Sequence, residues 1–84
     1  MRLTYDGEVK NVIKKQANNN KEYYEVLCAD TVDKKENKIT FFKESLFKRL
    51  EELVPGSTIS VAFNYSYSPA RKAFSLYADD FVEI

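Results

Sequence analysis

Two periods meet in "SLFKRLEELVPGSTISVAFNYSY", residues 45–67, and the fold follows from how that junction is read. In its first half Leu46, Leu50, Leu53 and Val54 fall on one face at helical spacing, and Phe47 widens the stripe. Ser45 is placed to cap this helix, and Pro55-Gly56 to stop it. Glu51 and Glu52 sit near its C-terminal end, where the dipole disfavours them, and read as a solvated face. In the second half the spacing drops to two. Ile59, Val61, Phe63, Tyr65 and Tyr67 share one side, and Thr58, Ser60, Ala62, Asn64 and Ser66 the other.

Upstream, "LTYDGEVKNVIKK" (3–15) alternates through Leu3, Tyr5, Val9 and Ile13, with Gly7 in phase. It reads as a long strand that bulges or bends at the glycine. "QANNNKE" (16–22) is a polar turn, "YYEVLCA" (23–29) a half-buried strand, "DTVDKKENK" (30–38) a charged loop and "ITFFK" (39–43) a short third strand. Downstream, "SPARK" (68–72) turns, and "AFSLYADDFVEI" (73–84) returns with Phe74, Leu76 and Ala78 on one side and Tyr77 on the other. Phe81, Val82 and Ile84 are expected to close the core. The order is three strands, a helix, then two strands. It predicts a mostly β domain over residues 1–84, a five-stranded Greek-key barrel of OB type with the helix between strands three and four. The competing architecture is an open α+β sheet with the helix on one face.

Length and composition narrow the function. A chain of 84 residues builds one small domain with a thin core, which a homodimer would help to stabilise. No apolar run is long enough to span a bilayer, and "MRLTYDGEVK" lacks the apolar stretch of a signal peptide, so no membrane partner is expected. The single cysteine, Cys28, excludes an internal disulfide framework and reads as a small buried hydrophobe, which suits a reducing, cytoplasmic compartment. The sequon at Asn64 to Ser66 carries no weight without a secretion signal.

There is no histidine and no Gly-rich phosphate loop. Asp79, Asp80 and Glu83 are the nearest thing to a metal-nuclease cluster, and a strand-end acidic group reads as surface. Neither catalysis nor a cofactor is expected. Net charge is zero, yet residues 9–49 hold ten Lys/Arg against six Asp/Glu, a balance of +4. The centre of the chain therefore carries a modest positive face.

The fourth strand runs about ten residues, roughly 33 Å at ~3.3 Å per residue, where a small barrel needs about five or six residues. Ile59, Val61 and Phe63 are expected inside, and Tyr65 and Tyr67 beyond the barrel on a projecting hairpin tipped by Arg71 and Lys72. Such a ribbon suits unpaired bases, because stacking on rings tolerates any base. The bland alternative is that these rings pack on each other or on a twin subunit. Lys14, Lys15 and Lys21 surround the first hairpin, Tyr23 follows, and Lys34, Lys35, Lys38 and Lys43 extend the basic track. In an OB barrel the first-second and fourth-fifth loops flank one oligonucleotide-binding face, so basic and aromatic groups recur where that fold binds.

"NNKEYYEVLCAD", with "ARKAFSLYADDFVEI" downstream, resembles the gene V protein family of filamentous phages, small single-stranded DNA-binding proteins. The similar positions are Lys21, Tyr23, Leu27 and Cys28, then Phe74, Ser75 and Leu76. The resemblance implies an OB-type dimer that binds single strands cooperatively, with Tyr23 and Phe74 as contacts, in a phage, plasmid or mobile element. The helix in "SLFKRLEELVPG" departs from that family. The expected function is non-catalytic binding of single-stranded DNA, with RNA not separable from it by sequence. Stacking is assigned to Tyr65, Tyr67, Phe74 and Tyr23. Phosphate contacts are assigned to Lys14, Lys15, Lys21, Lys43, Arg71 and Lys72. The alternative is a protein-interaction or oligomerisation module that uses the aromatic hairpin.

Overall fold

The computed structural model describes residues 3–70 and 72–84, with the backbone alone at Ser66 and over 73–76. Five strands, β1 (Leu3–Gln16), β2 (Glu22–Asp30), β3 (Glu36–Phe41), β4 (Thr58–Ser68) and β5 (Ala73–Glu83), form one antiparallel sheet in the order β3-β2-β1-β4-β5. A short helix, α1 (Phe47–Glu51), led in by a 3-10 turn over Glu44–Leu46, lies between β3 and β4. This is the OB-type order read from the sequence.

β1 serves two ladders. Leu3 to Glu8 pair with β4, and Gly7 to Gln16 pair with β2. Gly7 stands where the ladders overlap, and a Cβ there would lie 2.8 Å from the Tyr5 ring and 2.9 Å from Cys28 Cβ. The glycine admits close packing, and the bulge expected at it lies further on, between Val9 and Asn11. One extra residue reverses the alternation downstream. Val12 therefore packs on the core, and Ile13, expected inward, is 40% exposed. The turn after α1 covers this irregularity. Gly56 N–H donates to Val9 O at 2.8 Å, and Val9 N–H donates to Ser57 O at 2.7 Å. Gly56 takes a φ of 99°, which a side chain would strain.

The β2–β3 connection is tighter than a charged loop over 30–38. Asp30 Oδ1 accepts from Val32 N–H at 2.7 Å and Asp33 N–H at 3.2 Å, and Lys34 takes a φ of 63°. The chain reverses early, Glu36 pairs with Ala29, and β3 starts ahead of the expected Ile39. In the first hairpin Ala17 N–H bonds Lys21 O at 2.8 Å, with Asn20 at a φ of 65°.

Val9, Val26, Phe41, Leu50, Ile59 and Val61 are sealed from solvent, each contributing on the order of 1.5–3 kcal/mol. Leu46, Leu50 and Leu53 of the helical segment plug the barrel as expected. The helix is shorter than its apolar stripe, however. Ser45 lies within the 3-10 turn and caps nothing, and Val54 is 63% exposed because the chain has left the helix by then. β3 and β5 meet through side chains: Phe41 and Phe81 pack edge to face at 5.6 Å. Arg49 lies 4.5 Å over the Phe81 ring and bonds Asp80 Oδ1 at 3.2 Å and Phe81 O. A register shift at Asp79 lets Ala78 and Phe81, three apart, both face inward. It also turns Val82 and Ile84 outward, 54% and 72% exposed, so only Phe81 of the three expected residues closes the core.

Candidate nucleic-acid interface

Alternation along β2 divides its side chains. Tyr24, Val26 and Cys28 point into the barrel, and Tyr23, Glu25 and Leu27 point out. Cross-strand pairing carries that outward face onto β1 through Lys15, Ile13 and Asn11, and onto β3 through Thr40 and Lys38. Just past β3, Phe42 turns outward, 61% exposed, and meets Tyr23 with ring centroids 5.2 Å apart and planes tilted by 35°. Phe42 then walls a cavity of about 380 Å³ with Lys43, Tyr77, Ala78 and Asp79 at the β3–β5 seam. Tyr77 is 46% exposed. Tyr23, Phe42 and Tyr77 thus form an aromatic track across the barrel flank.

The basic groups of this region are mostly held by acids. Lys15 Nζ lies 2.9 Å from Glu25, whose hydrogen bond raises the lysine pKa. Lys43 Nζ lies 3.4 Å from Asp79 Oδ1. Lys14 pairs with Glu22 at 3.2 Å. It does not share the face of Lys15. Neighbours on a strand point to opposite sides, and Lys14 lies opposite inward Tyr24 beside α1, in a groove with Tyr24, Glu51 and Pro55. Lys21 and Lys72 are exposed on the two hairpin loops.

The β4–β5 ladder continues to Ser68 and Ala73, whereas β1 pairs with β4 only up to Phe63 among the described residues. Phe63 lines a recess of about 230 Å³ with Tyr5, Asn37, Lys38 and Ile39 at the mouth of the barrel. Beyond it the ribbon carries Tyr65 and Tyr67 on the same face, 36% and 52% exposed. Neither ring is sealed in the core. The radius of gyration, 13.2 Å with a long axis of 40 Å, exceeds the ~12 Å typical of this chain length, as a projecting hairpin requires. Of the expected contacts, Arg71 and the side chain of Phe74 lie outside the described residues.

Phe42, Tyr77 and Glu25 were not singled out from the sequence. A signal for Phe42 was present. In "ITFFK" adjacent phenylalanines must face opposite ways, so if Ile39 and Phe41 enter the core, Phe42 faces out. Asp79 and Asp80, weighed above as a metal cluster, instead tie β5 to Lys43 and Arg49. Among the described residues no three acids or thiols converge to hold a metal, and no helix is long and apolar enough to cross a membrane.

The fold and the flank together define an OB-type barrel with an aromatic, lysine-edged side. Among solved structures it is similar to Rim1, the mitochondrial single-stranded DNA-binding protein of S. cerevisiae. The first crystal form matches with a TM-score of 0.77 and 19% identity over 100% of this chain and 95% of that one. A second form, in selenomethionine-labelled protein, matches at 0.73 and 20% identity over 100% and 93%. At that identity the likeness establishes the fold. No family model matches the chain, and no curated protein matches it. The gene V relationship stays a resemblance of short motifs, since these neighbours are proteins of another kind.

Proposed function

We propose that this chain binds single-stranded DNA, without catalysis, by stacking bases along the outer face of β1–β2–β3 and on the β4–β5 ribbon. The observation that carries the reading is the Tyr23–Phe42–Tyr77 track, with Phe42 and Tyr77 exposed and Tyr23 half-buried, beside Lys15 and Lys43 on the flank where OB barrels take oligonucleotides. The fold likeness to a protein named for single-stranded DNA binding supports it. Tyr65 and Tyr67, on the opposite face of the ribbon from Tyr77, add a second stacking surface, and Lys21 and Lys72 on the two hairpin loops meet phosphates. Lys14 serves the other side of the barrel and is left out of this face. The setting implied by the gene V resemblance is replication or transfer in a phage or mobile element, with a homodimer as the binding unit. Outward Val82 and Ile84 give a second copy apolar surface.

With six tyrosines and no tryptophan, intrinsic emission reports on the proposed surface. Adding a single-stranded oligonucleotide quenches it saturably, and equal duplex quenches it far less. Tyr23→Ala and Phe42→Ala each weaken binding by about 1–3 kcal/mol, roughly five- to 150-fold. Unchanged affinity in both variants would remove the track from the reading.

A further inference from the structure

We infer that Glu25 makes this face favour bases bearing an amino group, guanine and cytosine foremost, over thymine. The inference rests on the single-strand reading above. Glu25 stands at the centre of the outward face. In register it faces Ile13 on β1 and Thr40 on β3, with Tyr23 and Leu27 two residues to either side along β2. Its side chain is only 13% exposed, and Oε1 is covered, with the Lys15 ammonium at 2.9 Å.

A carboxylate accepts hydrogen bonds and cannot donate them. On a surface meant for a polyanion it repels phosphate, so the group that approaches it is a base edge. Successive outward positions on a strand lie roughly 6.6 Å apart, so a base stacked on Tyr23 brings its edge over Glu25. Guanine offers two adjacent donors, N1–H and the 2-amino group, either of which can reach Oε2 while Oε1 stays on Lys15. Cytosine offers its 4-amino group, an established partner of glutamate. Thymine flanks its one N–H with two carbonyl oxygens, and these meet the carboxylate lone pair to lone pair. Lys15 fixes the carboxylate on the sheet and cancels most of its field toward the backbone of the strand. The competing role, a bolt between β1 and β2, accounts for the ion pair. It gives no reason to set a largely covered acid among the residues proposed to carry stacked bases.

The test measures anisotropy of dye-labelled dT, dC and alternating dT-dG strands of equal length with the intact protein, with Glu25→Gln and with Lys15→Gln. The native chain binds dC and dT-dG about tenfold more tightly than dT. Glu25→Gln brings the strands together, because an amide both donates and accepts. Lys15→Gln weakens all strands and keeps their ranking, whereas a pair with a merely structural role gives no ranking in the native chain to keep. Equal native affinity for the strands, or a ranking that survives Glu25→Gln, overturns the inference and leaves single-strand binding standing. Failure of the native chain to bind any strand overturns the single-strand reading and this inference with it. Circular dichroism of both variants verifies that they are folded.

Discussion

Gly7 shows how little room the barrel leaves at a single residue. A Cβ at 2.8 Å from a ring carbon and 2.9 Å from Cys28 Cβ demands that a strand or a buried side chain move. Gly7→Ala is therefore expected to destabilise by about 1–3 kcal/mol in denaturant unfolding. A neutral result would mean that the contact relaxes freely. Tyr24 supplies a pH-dependent contribution. Its hydroxyl donates to the Glu51 carboxylate, and that bond first, then burial, pushes its pKa from 10.0 up to about 12. The folded chain holds this proton more tightly than the unfolded one, so the contribution is whole below about pH 10 and is lost as pH rises to about 12. Burial of Cys28 acts with the same sign from 9.0 to about 11. Urea unfolding across the alkaline range is expected to show falling stability, and Tyr24→Phe to flatten its upper part while the Cys28 part persists. Cys28 as a buried hydrophobe was legible from its strand-forming neighbours. The role of Gly7 was not, because a glycine kept for a close approach and one kept for a bulge look alike in sequence.

Among the elements, the strands and their order were legible because alternation is strong in β2 and β4 and the turns carry Asn, Asp, Gly and Pro. Phase within a strand was legible only as far as the first irregularity. The bulge after Val9 and the shift at Asp79 each exchange inside for outside, at Ile13 in one case and at Val82 and Ile84 in the other. Nothing local marks either, because both are set by the neighbouring strand. The helix ended early for a related reason: Gly56 and Ser57 bond to Val9, which draws the chain off its axis. The ribbon was foreseen from length alone, since β4 outruns its pairing with β1. Tyr65→Ala with Tyr67→Ala is expected to lower affinity for single strands several-fold, while costing less than about 1 kcal/mol of stability, because the rings lie outside the core. A large loss in thermal midpoint with no change in binding would assign the ribbon to structure or to an oligomer interface.

For the whole molecule the balance of charge sets the character of binding. Net charge is zero, and Lys15 and Lys43 on the proposed face already have carboxylate partners at 2.9 and 3.4 Å. The acids of both pairs are largely covered, 13% and 20% exposed, so a phosphate that draws the lysine away gains little net. With about three or four phosphates neutralised, log K against log salt is expected to fall with a slope near −2 to −3. A much steeper slope would mean that phosphate contacts outweigh stacking. The site was only partly legible. Aromatic and basic residues on the loops were visible, whereas the Tyr23–Phe42–Tyr77 track joins three strand regions far apart in sequence and exists only once the barrel closes. The most direct measurement is nuclear magnetic resonance mapping of the chain during titration with a single-stranded oligonucleotide. The largest shifts are expected at Tyr23, Glu25, Phe42 and Tyr77, then along the ribbon at Tyr65 and Tyr67. Shifts confined to the α1 side around Lys14, or none at saturating strand, would contradict the account.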